Sequence, residues 1–252
     1  MTGLMGQVPV QRPSPNHGTR PDGCPIDMLV FHYTGMRTPE EALGRLCEAK
    51  AKVSAHYLID EDGTVLQLVD EDRRAWHAGQ GSWAGESDIN SCSIGIELVN
   101  PGHVFGYRPF PEAQMRALEV VCLEILARHP IPAHRVLGHS DVAPGRKEDP
   151  GELFDWPRLA RAGIGIWPER HAAPDRYSVG SMAEIKRDLS RLGYAVGASG
   201  QMDCQTRSVL LAFQRHWLAD QLTGAGDPAT AWRLQEVLKA ALIHKNSYLL
   251  QD

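Results

Sequence analysis

Residues 93–100 read SIGIELVN, an alternation that is typical of a β-strand. The isoleucine and leucine side chains share one face of this strand, and Glu97 lies on the opposite face between Gly95 and Val99. A carboxylate within so apolar a strand needs a partner, a metal ion or a catalytic task, because its burial is otherwise costly. The stretch therefore predicts a strand that carries one chemically notable residue.

The segments on either side predict further strands. IDMLVFHYTG (26–35) is an apolar run that ends at a turn, and RVLGH (135–139) is a shorter run of the same kind. Residues 54–70 indicate two strands joined by a polar turn at 60–63.

Helices alternate with these strands. One begins at Thr38, with Glu41 placed to complete a capping box, and a longer one begins at Glu112 and ends before Pro130. The first 23 residues are interpreted as a Pro/Gly-rich arm that leads into the first strand.

The pattern becomes purely helical after HAAPDRYS (171–178), which we interpret as a linker. Three short helices follow, and the first is opened by a capping box of Ser181 and Glu184. The sequence therefore predicts an α/β domain over residues 1–170, with a mixed central sheet flanked by helices, followed by a small three-helix bundle domain over residues 178–252.

The overall composition excludes several classes of protein. A hydrophobic content of 42% argues against disorder, and a net charge of −5 lacks the basic surplus of a nucleic-acid-binding protein. No stretch reaches the roughly 18 to 20 apolar residues of a membrane span. The five cysteines form no CxxC pair and no signal peptide is visible, so we expect a cytoplasmic protein, with the periplasm or cell envelope as the alternative.

One irregular stretch, GHSDVAPGRKEDPG (138–151), contains His139, Lys147 and Asp149. Long loops without regular structure are usually functional or disordered. Together with His32 at the end of an apolar strand, the loop supplies two histidines and an aspartate, which suits a catalytic zinc site with an open fourth position. Glu97 would then act as the base, and Lys147 would stabilise an oxyanion.

Each of these residues also has an ordinary interpretation. A histidine at a strand end is commonly a hydrogen-bonded structural residue, and Glu97 would be structural if it paired with an arginine. The charged run RKED (146–149) is typical of a solvated surface.

Four segments in order carry a family resemblance: VFHYTG (30–35), SAHYLIDEDGTVLQLVDEDRRAWHAG (54–79), NSCSIGIELVN (90–100) and GHSDVAPGRKEDPG. Together they resemble the zinc-dependent N-acetylmuramoyl-L-alanine amidases of the type-2 amidase family, in its two-domain branch. The resemblance implies a fold like that of the peptidoglycan recognition proteins.

The same resemblance implies roles for individual residues. His32, His139 and Asp149 would bind one Zn²⁺ ion, Glu97 would be the catalytic acid and base, and Lys147 would stabilise the oxyanion.

Two further residues match the family through the motif AWHAG (75–79). Trp76 and His77 would bind substrate, with a core tryptophan and a supporting histidine as the alternatives. The segment GASGQMDCQTRSVLLAFQRHW (197–217) resembles peptidoglycan-binding domains, with a bundle that only packs on the catalytic domain as the alternative.

The implied function is hydrolysis of the amide bond between N-acetylmuramic acid, with its 1,6-anhydro form as one option, and L-alanine of the stem peptide. This activity would serve cell-wall recycling or remodelling, with muropeptides or peptidoglycan fragments as partners. The alternatives are a recognition module that binds without cutting, a zinc peptidase acting within the stem peptide, and a scaffold without a metal.

Overall fold

The computed structural model describes residues 8–174 and 177–248, with side chains as far as residue 243. Within these residues, eight strands form a six-stranded sheet in the order β1-β5-β4-β7-β3-β8 and a two-stranded sheet of β2 and β6. The strands are β1 (Val10–Gln11), β2 (His17–Thr19), β3 (Met28–Tyr33), β4 (Tyr57–Ile59), β5 (Val65–Gln67), β6 (Arg73–Ala75), β7 (Ser93–Leu98) and β8 (Val136–Gly138).

Nine α-helices lie within the described residues, and two 3₁₀ turns at Ala49–Ala51 and Ala133–Arg135 accompany them. The helices are α1 (Pro39–Cys47), α2 (Ile89–Cys92), α3 (Gly102–Phe105), α4 (Glu112–Arg128), α5 (His139–Val142), α6 (Trp156–Arg161), α7 (Met182–Leu192), α8 (Cys204–Trp217) and α9 (Pro228–Tyr248). None of the described helices is long and apolar enough to cross a bilayer.

The SIGIELVN strand, β7, lies between β3 and β4 and runs parallel to both, whereas β5 runs antiparallel to β4. The sheet is therefore mixed, and the predicted α/β architecture with a following set of helices is confirmed. In this register Glu97 stands beside His32 of β3, and Phe31 stands beside Gly138 of β8. The next residue after Gly138 is His139, so the strand register brings three distant parts of the chain to one sheet end.

The two faces of β7 have different roles. Ile94 and Ile96 are fully buried in a cluster with Leu118 and Cys122 of α4. Burial of an aliphatic side chain contributes about 1.5 to 3 kcal/mol each, so this face anchors the strand. Glu97 lies on the other face, where α4 does not cover it.

The N-terminal arm is part of the sheet structure, so strands begin earlier in the chain than the prediction that placed the first strand after this arm. The segments that pair are β1 with β5 and β2 with β6, although residues 1–7 lie outside the described part. These strands are two or three residues long, too short to show periodicity, and they form because the partner strand lies alongside.

The loop at 138–151 is also less irregular than predicted, because His139–Val142 forms one helical turn. The Asp141 carboxylate accepts a hydrogen bond from the Gly138 N–H at 2.8 Å, which closes the start of that turn. At α1 the predicted box is incomplete. Thr38 accepts from the Glu41 N–H as expected, but the Glu41 carboxylate accepts from the N–H of Arg37 instead.

The C-terminal helices share a core with the sheet. Ser181 and Glu184 form the predicted capping box of α7. One hydrophobic cluster joins Val30 and Trp83 to Leu189 and Phe213. The division into domains 1–170 and 178–252 stays a prediction, and residues 175, 176 and 249–252 lie outside the described part.

Candidate metal centre and active site

Three buried side chains converge at the end of β3. The His32 Nδ1 lies 2.8 Å from the His139 Nδ1, and both nitrogens lie 3.0 Å from the Asp149 Oδ2. All three residues are at most 5% exposed. One ligand atom from each residue lies within 4.8 Å of the other two, so the group could hold one metal ion.

The charge states of this group suit a metal ion. Burial and the neighbouring His139 lower the pKa of His32 to about 4, against the opposing effect of Asp149. Although burial opposes it, the imidazoles of His139 and His32 hold the pKa of Asp149 well below its usual range. Metal ions bind neutral imidazole and ionised carboxylate, and these are the forms that His32 and Asp149 take at neutral pH.

A chain of hydrogen bonds sets which nitrogen of His32 carries the proton. The Ser93 hydroxyl donates to the Ile89 carbonyl at 2.5 Å and therefore accepts from the His77 Nε2, 3.1 Å away. The His77 Nδ1 is then an acceptor, and it lies 3.0 Å from the His32 Nε2. His32 accordingly carries its proton on Nε2 and presents the lone pair of Nδ1 to the centre.

His139 also presents its Nδ1 lone pair to the centre. Its Nε2 donates to the Ala78 carbonyl at 2.8 Å, which leaves the Nδ1 lone pair for the centre. Arg146 also donates to this carbonyl oxygen, at 2.5 Å. Sequence reasoning missed Arg146 and Ser93, since a charged run and a strand-start serine carry no distinctive signal.

Glu97 lies beside the ligands and is buried. Its Oε2 has no hydrogen-bond partner, and no salt bridge joins Glu97 to an arginine among the described residues. Burial raises its pKa to about 8, Asp149 adds to this effect, and Lys147 opposes it. A carboxyl group in this state can take up and release a proton near neutral pH.

A cavity of about 440 Å³ opens onto this centre. His77, Glu97, Asp149 and the half-buried Lys147 are among the residues that line it. Trp76 is half-buried and is not among the residues that line this cavity. A larger cavity of about 620 Å³ lies between α6 and α8, but it contains none of the three ligand residues.

His56, another buried histidine, is engaged elsewhere. Its Nδ1 accepts from the Gly95 N–H at 3.0 Å, and its Nε2 lies 3.1 Å from the Arg73 carbonyl oxygen. Gly95 itself has no room for a side chain, because a Cβ there would overlap the His77 ring. The strand therefore needs glycine at this position for His77 to reach His32.

Two histidines, a carboxylate that could be a ligand, a second carboxyl group and an open cavity are the features that single-metal hydrolases share. The family model described as N-acetylmuramoyl-L-alanine amidase matches residues 22–152. The chain is 35% identical to the N-acetylmuramoyl-L-alanine amidase AmiD of Escherichia coli over 238 residues, which cover 87% of this chain and 83% of the relative. The chain therefore belongs to the N-acetylmuramoyl-L-alanine amidase family.

Solved structures agree with this assignment. The complex of E. coli AmiD with anhydro-N-acetylmuramic acid-L-Ala-D-γ-Glu-L-Lys has a TM-score of 0.77 and 34% identity, covering 87% of this chain and 92% of that one. The complex of AmpDh3 from Pseudomonas aeruginosa with an anhydromuramic pentapeptide has a TM-score of 0.75 and 33% identity, covering 93% and 97%. Because these matches cover 87% and 93% of this chain, the similarity extends beyond the residues that the family model matches.

Proposed function

We propose that this protein is a zinc-dependent enzyme that hydrolyses the amide bond between N-acetylmuramic acid and L-alanine of muropeptides. The observation that carries the proposal is Glu97, a buried carboxyl group with one unpaired oxygen beside three convergent ligand atoms. The anhydromuramyl peptides bound by AmiD and AmpDh3 support the 1,6-anhydro sugar as the substrate form. Such a reaction would serve cell-wall recycling.

His32, His139 and Asp149 would hold the zinc ion through two imidazole nitrogens and one carboxylate oxygen. This donor set fits zinc better than magnesium or calcium, which prefer six or more oxygen ligands. When bound, zinc lowers the pKa of a water molecule and polarises the substrate carbonyl group.

Glu97 would transfer the proton. It takes a proton from water as the water oxygen bonds to the carbonyl carbon of the lactyl group. It then gives that proton to the amide nitrogen as the C–N bond breaks, so the products are a carboxylic acid on the sugar and the free amine of L-alanine. Burial raises the pKa of Glu97 towards neutral pH, so its ionised form is a stronger base than an ordinary carboxylate.

Lys147 would stabilise the oxyanion that develops on the carbonyl oxygen. It lines the cavity beside Asp149, and its charge acts on both Glu97 and His32. An ammonium group on a partly buried wall interacts more strongly with a developing charge than it would in bulk water.

The test uses a defined anhydromuramyl tripeptide and mass spectrometry of its products, with and without a zinc chelator. We expect free tripeptide and anhydro sugar, lost on chelation and restored by zinc. Cleavage inside the peptide would instead identify a zinc peptidase, and no cleavage by zinc-loaded protein would identify a recognition module.

We also propose the cytoplasm as the working compartment. Cys24, Cys47, Cys92, Cys122 and Cys204 are all free thiols in the structure, which suits a reducing environment. Fractionation of cells that express the full-length gene tests this. Activity in the periplasmic or envelope fraction would contradict it.

A further inference from the structure

The three C-terminal helices α7, α8 and α9, with the segments that join them, are called the bundle, and residues 138–151, which carry two of the ligands, are called the ligand loop. Helix α8 of the bundle contacts the ligand loop at two points. The Ser208 side chain lies so close to Gly145 that a Cβ at Gly145 would overlap it. The Arg215 guanidinium donates to Glu148 at 2.6 Å, directly before Asp149 in the chain.

A third point of contact between the C-terminal region and the ligand loop is the carboxylate of Asp141, which is 1% exposed. The Tyr194 hydroxyl donates to its Oδ1 at 2.5 Å, and the His216 Nδ1 donates to its Oδ2 at 2.7 Å. The Gly138 N–H supplies the third hydrogen bond, at 2.8 Å. We call this cluster of Asp141, Tyr194, His216 and Gly138 the Asp141 junction. The bundle therefore provides two of the three donors that this buried carboxylate needs.

The ring of His216 is held in place from both sides. It stacks on Trp156 with ring centroids 3.6 Å apart and on Trp217 with centroids 3.8 Å apart. Its Nδ1–H therefore points at Asp141 from a ring with little freedom to turn. This rigidity is what a positioning residue requires.

The Asp141 junction connects directly to the ligands. Asp141 lies in the same helical turn as His139, two residues later. The N–H of Ser140, between them, donates to the backbone carbonyl of Asp149 at 2.9 Å. A shift of Asp141 would therefore move the imidazole of His139 and the carboxylate of Asp149 together.

We propose that the bundle completes the metal site, with Tyr194 and His216 as positioning residues that hold the ligand loop in its metal-binding geometry. This inference rests on the proposed function only in taking zinc as the metal. It gives the C-terminal helices a task beyond packing and beyond any binding of cell-wall polymer.

The experiment compares full-length Tyr194→Phe, His216→Ala and His216→Asn with the wild type. Tyr177→Phe is the matched control, because Tyr177 also lies in the C-terminal region and packs edge-on against Trp232, away from the ligand loop. Zinc affinity is measured by chelator competition, and the visible absorption of the cobalt-loaded protein reports coordination geometry.

We expect Tyr194→Phe and His216→Ala to weaken zinc binding by roughly 10- to 100-fold and to change the cobalt spectrum. His216→Asn retains an N–H donor near the position of Nδ1 and should recover part of the affinity. Tyr177→Phe should match the wild type. If His216→Ala does not fold, Arg215→Gln at the Glu148 contact supplies a milder test, with affinity reduced about 2- to 5-fold by loss of that ion pair.

Wild-type zinc affinity and cobalt spectra in all junction variants would overturn this inference and leave the proposed function intact. A wild type that binds zinc but cleaves no muropeptide would overturn the substrate assignment, while weakened binding in the variants would still support the inference. A wild type that binds no zinc would overturn both.

Discussion

Two buried carboxyl groups are neighbours of the ligand residues, Glu97 beside His32 in the sheet and Asp141 in the same helical turn as His139, and they differ in their hydrogen-bond partners. Asp141 accepts three hydrogen bonds, whereas the Oε2 of Glu97 accepts none. A buried carboxylate with satisfied lone pairs stabilises the structure around it, and one with an unpaired oxygen is kept available for a substrate or water. Asp141 therefore has the contacts of a structural carboxylate, and Glu97 has the unpaired oxygen that the proposed catalytic role requires.

The largest expected effect is the loss of turnover when Glu97 is replaced. Glu97→Gln keeps the shape of the side chain but removes its ability to accept a proton, so we expect the turnover number to fall roughly 100- to 10,000-fold. Zinc content should stay at the wild-type level. Chromatography of the released tripeptide and metal analysis measure the two quantities, with the exposed Glu124→Gln as the control. A Glu97→Gln enzyme that still cleaves at the normal rate would end the assignment of Glu97 as the base.

Lys147 is expected to show the next largest effect. Lys147→Gln removes the positive charge near the developing oxyanion, so we expect the turnover number to fall about 100- to 1,000-fold with little change in KM. Steady-state kinetics measure both constants, with the exposed Lys50→Gln as the control. A change confined to KM would assign Lys147 to substrate binding instead.

Substitution of Asp141 is expected to lower the stability of the fold. Asp141→Asn replaces one of the two oxygens that accept from Tyr194 and His216 with an NH₂ group. One of these donors would then face another donor, so we expect the free energy of unfolding to fall by about 2 to 4 kcal/mol. Urea titration measures it. Glu97→Gln should leave that free energy unchanged or raise it, and an equal loss in both variants would remove the distinction between the two carboxyl groups.

A third carboxylate, Glu71, makes the stability of the fold depend on pH. Although burial opposes it, hydrogen bonds from Arg128, Tyr57 and His129 lower the pKa of Glu71 to about 2 from its ordinary 4.5. A lowered pKa means that the contribution to stability is complete above pH 4.5 and is lost as the pH falls from about 4.5 towards 2.

Glu71→Gln should therefore reduce the free energy of unfolding by about 1 to 2 kcal/mol at pH 7, a figure reduced for solvent screening at the half-exposed Arg128. The difference from the wild type should shrink below pH 4.5. Glu61→Gln, at an exposed ion pair with Arg108, is the control and should cost less. A difference that stays constant from pH 7 to pH 3 would contradict the assigned pKa. Urea titrations at several pH values provide the measurement.

Much of the fold and the identity of the candidate site residues were predictable for a physical reason. In a strand, alternate residues lie on the same face, so the spacing of apolar residues shows which face is buried. The stretch SIGIELVN therefore predicted β7 and placed Glu97 on the face opposite the isoleucine and leucine residues. The short strands β1, β2 and β6 were missed, because two or three residues carry no periodicity and their pairing depends on a distant partner. Peptidoglycan binding by the bundle and substrate contact by Trp76 and His77 stay predictions.

The sequence by itself determined the residue types and their order: an apolar strand ending in His32, a strand carrying Glu97, and a loop carrying His139, Lys147 and Asp149. The tertiary structure alone decided which nitrogen each histidine presents and which carboxylate is left unpaired. These properties depend on hydrogen bonds between residues far apart in the chain, such as His32 with His77 and Tyr194 with Asp141. Local periodicity contains no information about such partners, since they meet only when the sheet and the bundle have packed together.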